Sequence, residues 1–363
     1  MSDVQVDDMA PSLARIVDAV KSAEADERAL DVVGGGTKSF LASGVPGERL
    51  STVDHCGIVS YEPTELVITA RAGTLLTDID AALNERGQML GFEPPRFGAA
   101  STIGGVIGAG LSGPARPYRG SARDFVLGVE LINGHGQVLK FGGQVMKNVA
   151  GYDVSRLVTG AFGTLGVLTE VSLRVVPRVT HESTLRWGGD TTQSSERMRD
   201  LSRSPWPVTA MACDQDGLRV RMSGSMEAIE DARKRLNPES DGDDSQFWAQ
   251  LRDLQLEQLQ PANGVSLWRL SVAPAAPEFE IPVDLFDWGG AQRWLTTSAG
   301  FAEQIRAYAL VSGGHATCIK RATDDEAATF STPEKTLMQL MQRVKASFDP
   351  TGIFNPQRYY SWM

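Results

Sequence analysis

Glycine is spread too unevenly along this chain for a single uniform domain: 25 of its 37 glycines precede residue 180, and all seven tryptophans, Trp187 to Trp362, follow it. Glycines supply turns with positive φ and let backbone or ligand approach closely, whereas tryptophans fill cores. The two halves are therefore built by different rules. The length of 363 residues points the same way, since one hydrophobic core stops growing at roughly 250 to 300 residues. Pro177 closes the apolar alternation of Val171, Leu173, Val175 and Val176, as a proline does at a sheet edge or at the end of a ladder. The expected division is 1–180, 181–330, and a helix with a tail over 331–363 that returns to the first domain.

Composition removes several classes of function. A formal net charge of −10 and a pI near 5.0 disfavour a surface that neutralises nucleic-acid phosphates. Cys56, Cys213 and Cys318 lie far apart and supply neither a disulfide framework nor the four thiolates of an iron–sulfur cluster. Asp3, Asp7 and Asp8 occupy the positions where a secretion signal carries cations, and no 18-residue apolar run occurs. The expectation is a cytoplasmic chain without a membrane span.

In the first half, a helix is expected after Pro11, with Leu13, Ile16, Val17 and Val20 on one face, followed by a strand over 29–33. Another strand over 65–70 leads into a helix over 75–86 that carries Leu75, Leu76, Ile79 and Leu83 and stops at Gly87. Segments 125–132 and 137–141 flank Asn133-Gly134-His135-Gly136 as a hairpin. The second half alternates strands over 183–187, 208–213, 218–222 and 265–272 with helices over 226–236 and 247–259. An acidic stretch over 239–245 and a proline-rich one over 274–282 read as surface connections. The fold class is α+β, the second domain being a ferredoxin-like antiparallel sheet. No repeat of 20 to 50 residues is visible.

Two glycine-rich segments bear on chemistry. The strand over 29–33 runs into Gly34-Gly35-Gly36-Thr37-Lys38, a segment that reads either as a tight turn or as a nest of backbone N–H groups converging on an anion. It is not a P-loop, because Thr37 rather than Gly precedes Lys38. Gly108-Ala109-Gly110-Leu111-Ser112-Gly113 matches GxGxxG, and Glu130 follows. A dinucleotide-binding Rossmann site needs a helix to begin there, and Pro114 and Pro117 oppose one.

The succession GGGTK, YEPTELVITARAGT, STIGGVIGAGLSGPARPYRGSARD and KNVAGYDVSRLVTGAFGTLGVLTEV resembles the PCMH-type, vanillyl-alcohol oxidase-like FAD-binding domain over about the first 180 residues. PPRFG, MKNVAGYD and FDPTGIFNP extend the likeness, over most of the chain, to the FAD-binding E subunits of bacterial glycolate oxidases. The resemblance implies that Gly34, Gly35, Gly36, Thr37 and Lys38 wrap the FAD pyrophosphate, with Ser101, Thr102, Gly104 and Gly105 opposite. It implies a loop beside the cofactor at Gly120, Arg123 and Asp124, whose charged pair otherwise reads as a solvated ion pair. Gly163, Gly166 and Val167 fall in the turn and strand that hold the adenosine half. Some relatives attach FAD through a His in the glycine loop or a Cys farther along. Here Gly36 and Thr37 occupy the loop and Cys56 reads as a buried small residue, so FAD is expected without a covalent link and no metal is expected.

Oxidation of a 2-hydroxy acid needs a base, a cation for the carboxylate and a hydride acceptor. The related hydroxy-acid dehydrogenases carry a His-x-Gly-Asp-Gly-Asn-x-His metal segment, whereas this chain has only His55, His135, His181 and His315. His315 is the single candidate base, or else a structural histidine. Arg269 and Arg321, on expected strands, are carboxylate clamps or surface cations. The resemblance implies partners: a larger flavin-containing subunit, an iron–sulfur subunit, and glycolate as substrate, with any contact at the inner membrane made through those partners. The competing readings are a self-sufficient FAD oxidoreductase on another small hydroxy compound, and a structural subunit whose FAD only stabilises the assembly.

Overall fold

A computed structural model describes residues 10–41, 47–143 and 152–363. MKNVAGYD therefore falls mostly outside the described residues, of which Tyr152 and Asp153 are part. The chain divides into two compact units: Met1–Leu111, Ser121–Pro177 and Thr332–Met363 form the first, and Ser112–Gly120 with Arg178–Ser331 form the second. The stretch Ser112–Gly120, expected with the first domain, belongs to the second.

The first unit opens with the helix Pro11–Ala25, started by its proline, which buries Leu13, Ile16, Val17, Val20 and Ala23. That face packs on a parallel pair, β1 (Leu30–Val33) and β2 (Glu48–Ser51). A five-stranded antiparallel sheet follows: β3 (Ile58–Glu62), β4 (Val67–Arg71), β6 (Val126–Ile132), β7 (Val138–Gly142) and β8 (Val167–Arg174), in the order β3-β4-β8-β6-β7. Between β4 and β6 lie the helices Leu76–Asn84 and Ile103–Ala109 and the short β5 (Gln88–Met89), which pairs with β9 (Val176–Pro177). Ile79, Leu83, Ile103, Ile107, Phe125 and Val171 share one core under this sheet. The helix Lys335–Phe348 belongs to this unit as well. Past it, the chain adds a short parallel bridge to β1, in which Leu30 N–H donates to Ile353 O (2.7 Å) and Asn355 N–H to Leu30 O (2.9 Å).

The second unit is one eight-stranded antiparallel sheet: β10 (His181–Trp187), β11 (Val208–Asp214), β12 (Gly217–Gly224), β13 (Ser240–Gly242), β14 (Val265–Ser271), β15 (Leu285–Asp287), β16 (Gln292–Ser298) and β17 (His315–Lys320). Its order is β13-β10-β12-β11-β15-β16-β14-β17. With the helices Thr191–Ser202 and Met226–Leu236, the strands β10 to β13 make a complete ferredoxin-like β-α-β-β-α-β unit in spatial order 4-1-3-2. Strands β14 to β17 repeat that order, with the helix Ala302–Val311 in the second crossover and the irregular 272–284 in place of the first. The halves meet edge to edge where Cys213 pairs with Phe286. The ferredoxin-like expectation thus becomes two such sheets sharing one plane of hydrogen bonds.

Three local expectations are corrected. The helix expected over 247–259 runs only from Ser245 to Arg252, because Leu254 takes φ +52° and a single 3-10 turn, Glu257–Leu259, follows. Part of the acidic loop pairs with Thr184, Leu185 and Arg186 as β13. Arg321 lies one residue beyond β17. No helix among the described residues is long and apolar enough to cross a membrane.

Candidate functional site

β1 delivers the chain into the loop Gly34–Lys38, which passes hard against the segment before the helix Ile103–Ala109. A Cβ on Gly35 would lie 1.5 Å from Ala100 O, and one on Gly34 2.4 Å from Thr102 Oγ1. Glycine is thus required at both positions by space, while Gly36 is required by its φ of +70°. No described residue accepts a hydrogen bond from the N–H groups of Gly34, Gly35, Gly36 or Thr37. Lys38 turns across the gap: its Nζ donates to Ser101 Oγ (2.8 Å), Thr37 Oγ1 (3.2 Å) and Arg96 O (3.4 Å), and it stands over the Phe97 ring. The lysine fastens the two glycine-rich segments to each other.

Opposite this loop, Thr102 caps its helix by accepting from Gly105 N–H (3.3 Å). Gly104 packs so closely on the residue just after β4 that a Cβ would stand 2.6 Å from that of Ala72. Gly110 ends the helix in the left-handed region at φ +63°. GxGxxG therefore marks a helix C-terminus, the wrong end for a pyrophosphate. The next helix, Arg116–Arg119, does carry Pro117 as its second residue but lasts one turn. Gly163 and Gly166 complete the rim at φ +69° and +150°, with Val167 fully buried behind them at the start of β8.

These segments enclose a cavity of about 430 Å³, lined by Gly34 to Lys38, Thr102, Gly104, Gly105, Gly163 and Gly166. Ser101 is buried just behind the lining. Asp31, Arg49, Phe162 and Arg358 also face the cavity and escaped the sequence reading. Asp31 and Arg49 are register partners on β1 and β2, and Arg358 is ion-paired with Asp31 from the far end of the sequence. No local motif joins residues so far apart.

Gly120, Arg123 and Asp124 do not line the cavity. Gly120 ends the one-turn helix at φ +105° within the second unit. Arg123 and Asp124 are exposed, and the Asp124 carboxylate accepts from Ser121 N–H (2.8 Å) and Oγ (2.7 Å) in a capping box. Cys56 is exposed rather than buried, in the turn that Thr74 Oγ1 holds through Gly57.

In the second unit, His315 begins β17 and faces Ser271 on β14, two residues from Arg269. Although the residue is exposed, neighbouring atoms crowd its imidazole. That desolvation, followed by the charges of Arg269 and Arg116, holds its pKa below the usual histidine range. Arg116 itself lies over the Trp288 ring, 4.4 Å from its centre. Arg321 points elsewhere, donating to Thr329 Oγ1 at 3.4 Å.

The cavity has the volume of a cofactor pocket and offers backbone donors and small residues, so an extended pyrophosphate can approach where side chains would collide. The comparisons agree with that chemistry. A family model described as an FAD binding domain matches residues 9–142. Glycolate oxidase subunit GlcE of Escherichia coli (strain K12) is 43% identical over 347 residues, covering 95% of this chain and 97% of that protein. Glycolate oxidase subunit GlcD of Bacillus subtilis (strain 168) is 34% identical over 128 residues, 35% of this chain and 27% of that one. In fold, a solved structure of alkyldihydroxyacetonephosphate synthase superposes with a TM-score of 0.63 at 13% identity, covering 94% of this chain and 74% of that one. The first unit is thus an FAD-binding domain of the vanillyl-alcohol oxidase-like fold. With nearly all of both sequences aligned to GlcE, the chain belongs to the glycolate oxidase subunit GlcE family.

Proposed function

We propose that this chain is the FAD-holding subunit of a heteromeric glycolate oxidase, converting glycolate to glyoxylate together with a larger flavin subunit and an iron–sulfur subunit. The observation that carries the reading is the Gly34–Lys38 loop, which lines the cavity, finds no acceptor among the described residues for the N–H groups of Gly34 to Thr37, and is tied to Ser101 through Lys38. Bound there, FAD supplies hydride and electron transfer. The protein's own part begins with the N–H groups of the loop, which hold the pyrophosphate charge without bringing a side chain near it. Lys38, tied to Ser101, keeps the two walls at fixed separation, and Thr102 and Gly105 set the start of the opposite helix. In the second unit, Arg269 and Arg116 supply positive charge beside His315, whose depressed pKa leaves it neutral and able to accept a proton at pH 7.

The route for electrons leads out of the chain. Cys213 and Cys318 are buried, with thiols pushed up by burial, that of Cys318 to about 11. Three dispersed cysteines do not make a four-thiolate site. The arginine pair beside His315 favours a second reading, in which the chain oxidises a small hydroxy acid unaided. Anaerobic mixing of the purified chain with glycolate separates the two. Flavin bleaching only after the GlcD-like and iron–sulfur partners are added supports the subunit, and rapid bleaching of the chain alone supports the independent enzyme. In the second case His315→Ala should lower the rate by about 10²-fold or more.

A further inference from the structure

We propose that Asn355 is a positioning residue for the cofactor, a single side chain that sets the distance between two adjoining backbone segments in the lining of the FAD cavity. The inference rests on the FAD assignment and is independent of the substrate. Asn355 is 3% exposed. Its Oδ1 accepts from Val32 N–H at 2.7 Å, and its Nδ2 donates to Phe162 O, also at 2.7 Å. Val32 lies two residues before the glycine loop and Phe162 one residue before Gly163, and both face the cavity. One amide thus turns its acceptor to one lining segment and its donor to the adjoining one. Neither an acid nor an aliphatic side chain of that size can do both.

The backbone of Asn355 is equally committed. It sits at φ +43°, a region that Asn tolerates better than most residues, and its N–H donates to Leu30 O. The contact is also tight: a Cβ on Gly163 would come within 2.7 Å of Asn355 Nδ2. The preceding turn is clamped by Asp349, whose carboxylate accepts from Ile353 N–H (3.0 Å) and Phe354 N–H (2.8 Å) and pairs with buried Lys345 (2.6 Å). Lys345 in turn donates to Thr164 O (2.7 Å) and Phe354 O (2.9 Å). Asn355 is thus rigidly presented to the cradle, so a change in its side chain passes to both adjoining segments of the lining.

The test compares full-length Asn355→Gly and Asn355→Asp with Leu83→Ala, each as apoprotein titrated with FAD by flavin fluorescence. Gly keeps the left-handed backbone and removes both bonds, while Asp keeps the bond to Val32 and sets an acceptor against Phe162 O. Both should weaken FAD binding by about tenfold or more. Leu83→Ala, in the core away from the cavity, should lower the melting temperature yet keep Kd within about twofold. Asn355 variants that fold and bind FAD within twofold of wild type overturn the proposal, as does a Leu83→Ala defect of equal size. A measurement needing no variant stands beside it. By reciprocity, FAD added to the wild-type apoprotein should slow hydrogen exchange in residues 349–356 by about tenfold. Unchanged exchange there likewise overturns the proposal.

Discussion

A methyl group at position 35 has nowhere to go, since the carbonyl of Ala100 would be 1.5 Å away. Gly35→Ala should therefore cut FAD affinity by on the order of 100-fold or more, because the loop must leave its path. Gly36→Ala meets no neighbour within 4 Å and only the strain of a positive φ. It should cost about 1–2 kcal/mol, roughly tenfold in affinity if the strain is relieved in the free loop. Flavin retained on desalting, read as absorbance per chain, ranks the two variants. Lys345→Met should be worse for stability than for binding. It strands the Asp349 carboxylate in a buried site and should cost about 3–5 kcal/mol in urea unfolding. At this scale the glycines were legible, because close approach demands a specific residue type. Lys345 was not: it lies on a helix whose Leu337 and Leu340 are exposed while the lysine alone is buried. The carbonyls that recruit it come from residues 164 and 354. Arg358 was hidden for the same reason.

Among the elements, the central sheet of the first unit carries a row of charges across four strands, Arg71 on β4, Glu170 on β8, Glu130 on β6 and Lys140 on β7, each the register partner of the next. Glu130 is buried and held by Thr169 Oγ1 (2.8 Å) and Lys140 (3.1 Å), so Glu170 faces a fixed negative neighbour. Burial first and the Glu130 charge second raise the Glu170 pKa, while Lys140 is raised chiefly by its hydrogen bond to Glu130. A carboxyl raised on folding favours the protonated native state. Its contribution is fully present below the unfolded value of about 4.3 and is lost as pH rises through the folded value. Glu170→Gln should accordingly raise the urea midpoint at pH 7 and lose that advantage near pH 4. A midpoint lowered at pH 7 would mean that attraction to Arg71 and Lys140 outweighs the repulsion. The strands themselves could be read from alternation and turn residues, whereas the register that aligns these charges could not. It depends on which strands pair, and β8 reaches its place between β4 and β6 from far along the chain.

On the scale of the molecule, the two units have separate cores, Ile79 and Val171 in one and Leu185 and Trp268 in the others. FAD at about 100 times its Kd should stabilise the unit that binds it by about 2.7 kcal/mol. Calorimetry should show that transition moving upward while the transition of the second unit stays in place. The doubling of the ferredoxin-like motif left no trace in the sequence, because the copies differ by a whole helix and only their strand order agrees. The path of the chain has one more consequence. The bridge of Ile353 and Asn355 to β1 closes the first unit, yet residues 178–331 must be translated before it. On the ribosome, the glycine loop therefore emerges early and waits without its brace while the entire second unit is made. On the proposal made for Asn355, stable capture of flavin is a late event in the life of the nascent chain, and a ribosome that stalls within the second unit leaves an open cradle exposed to chaperones and proteases.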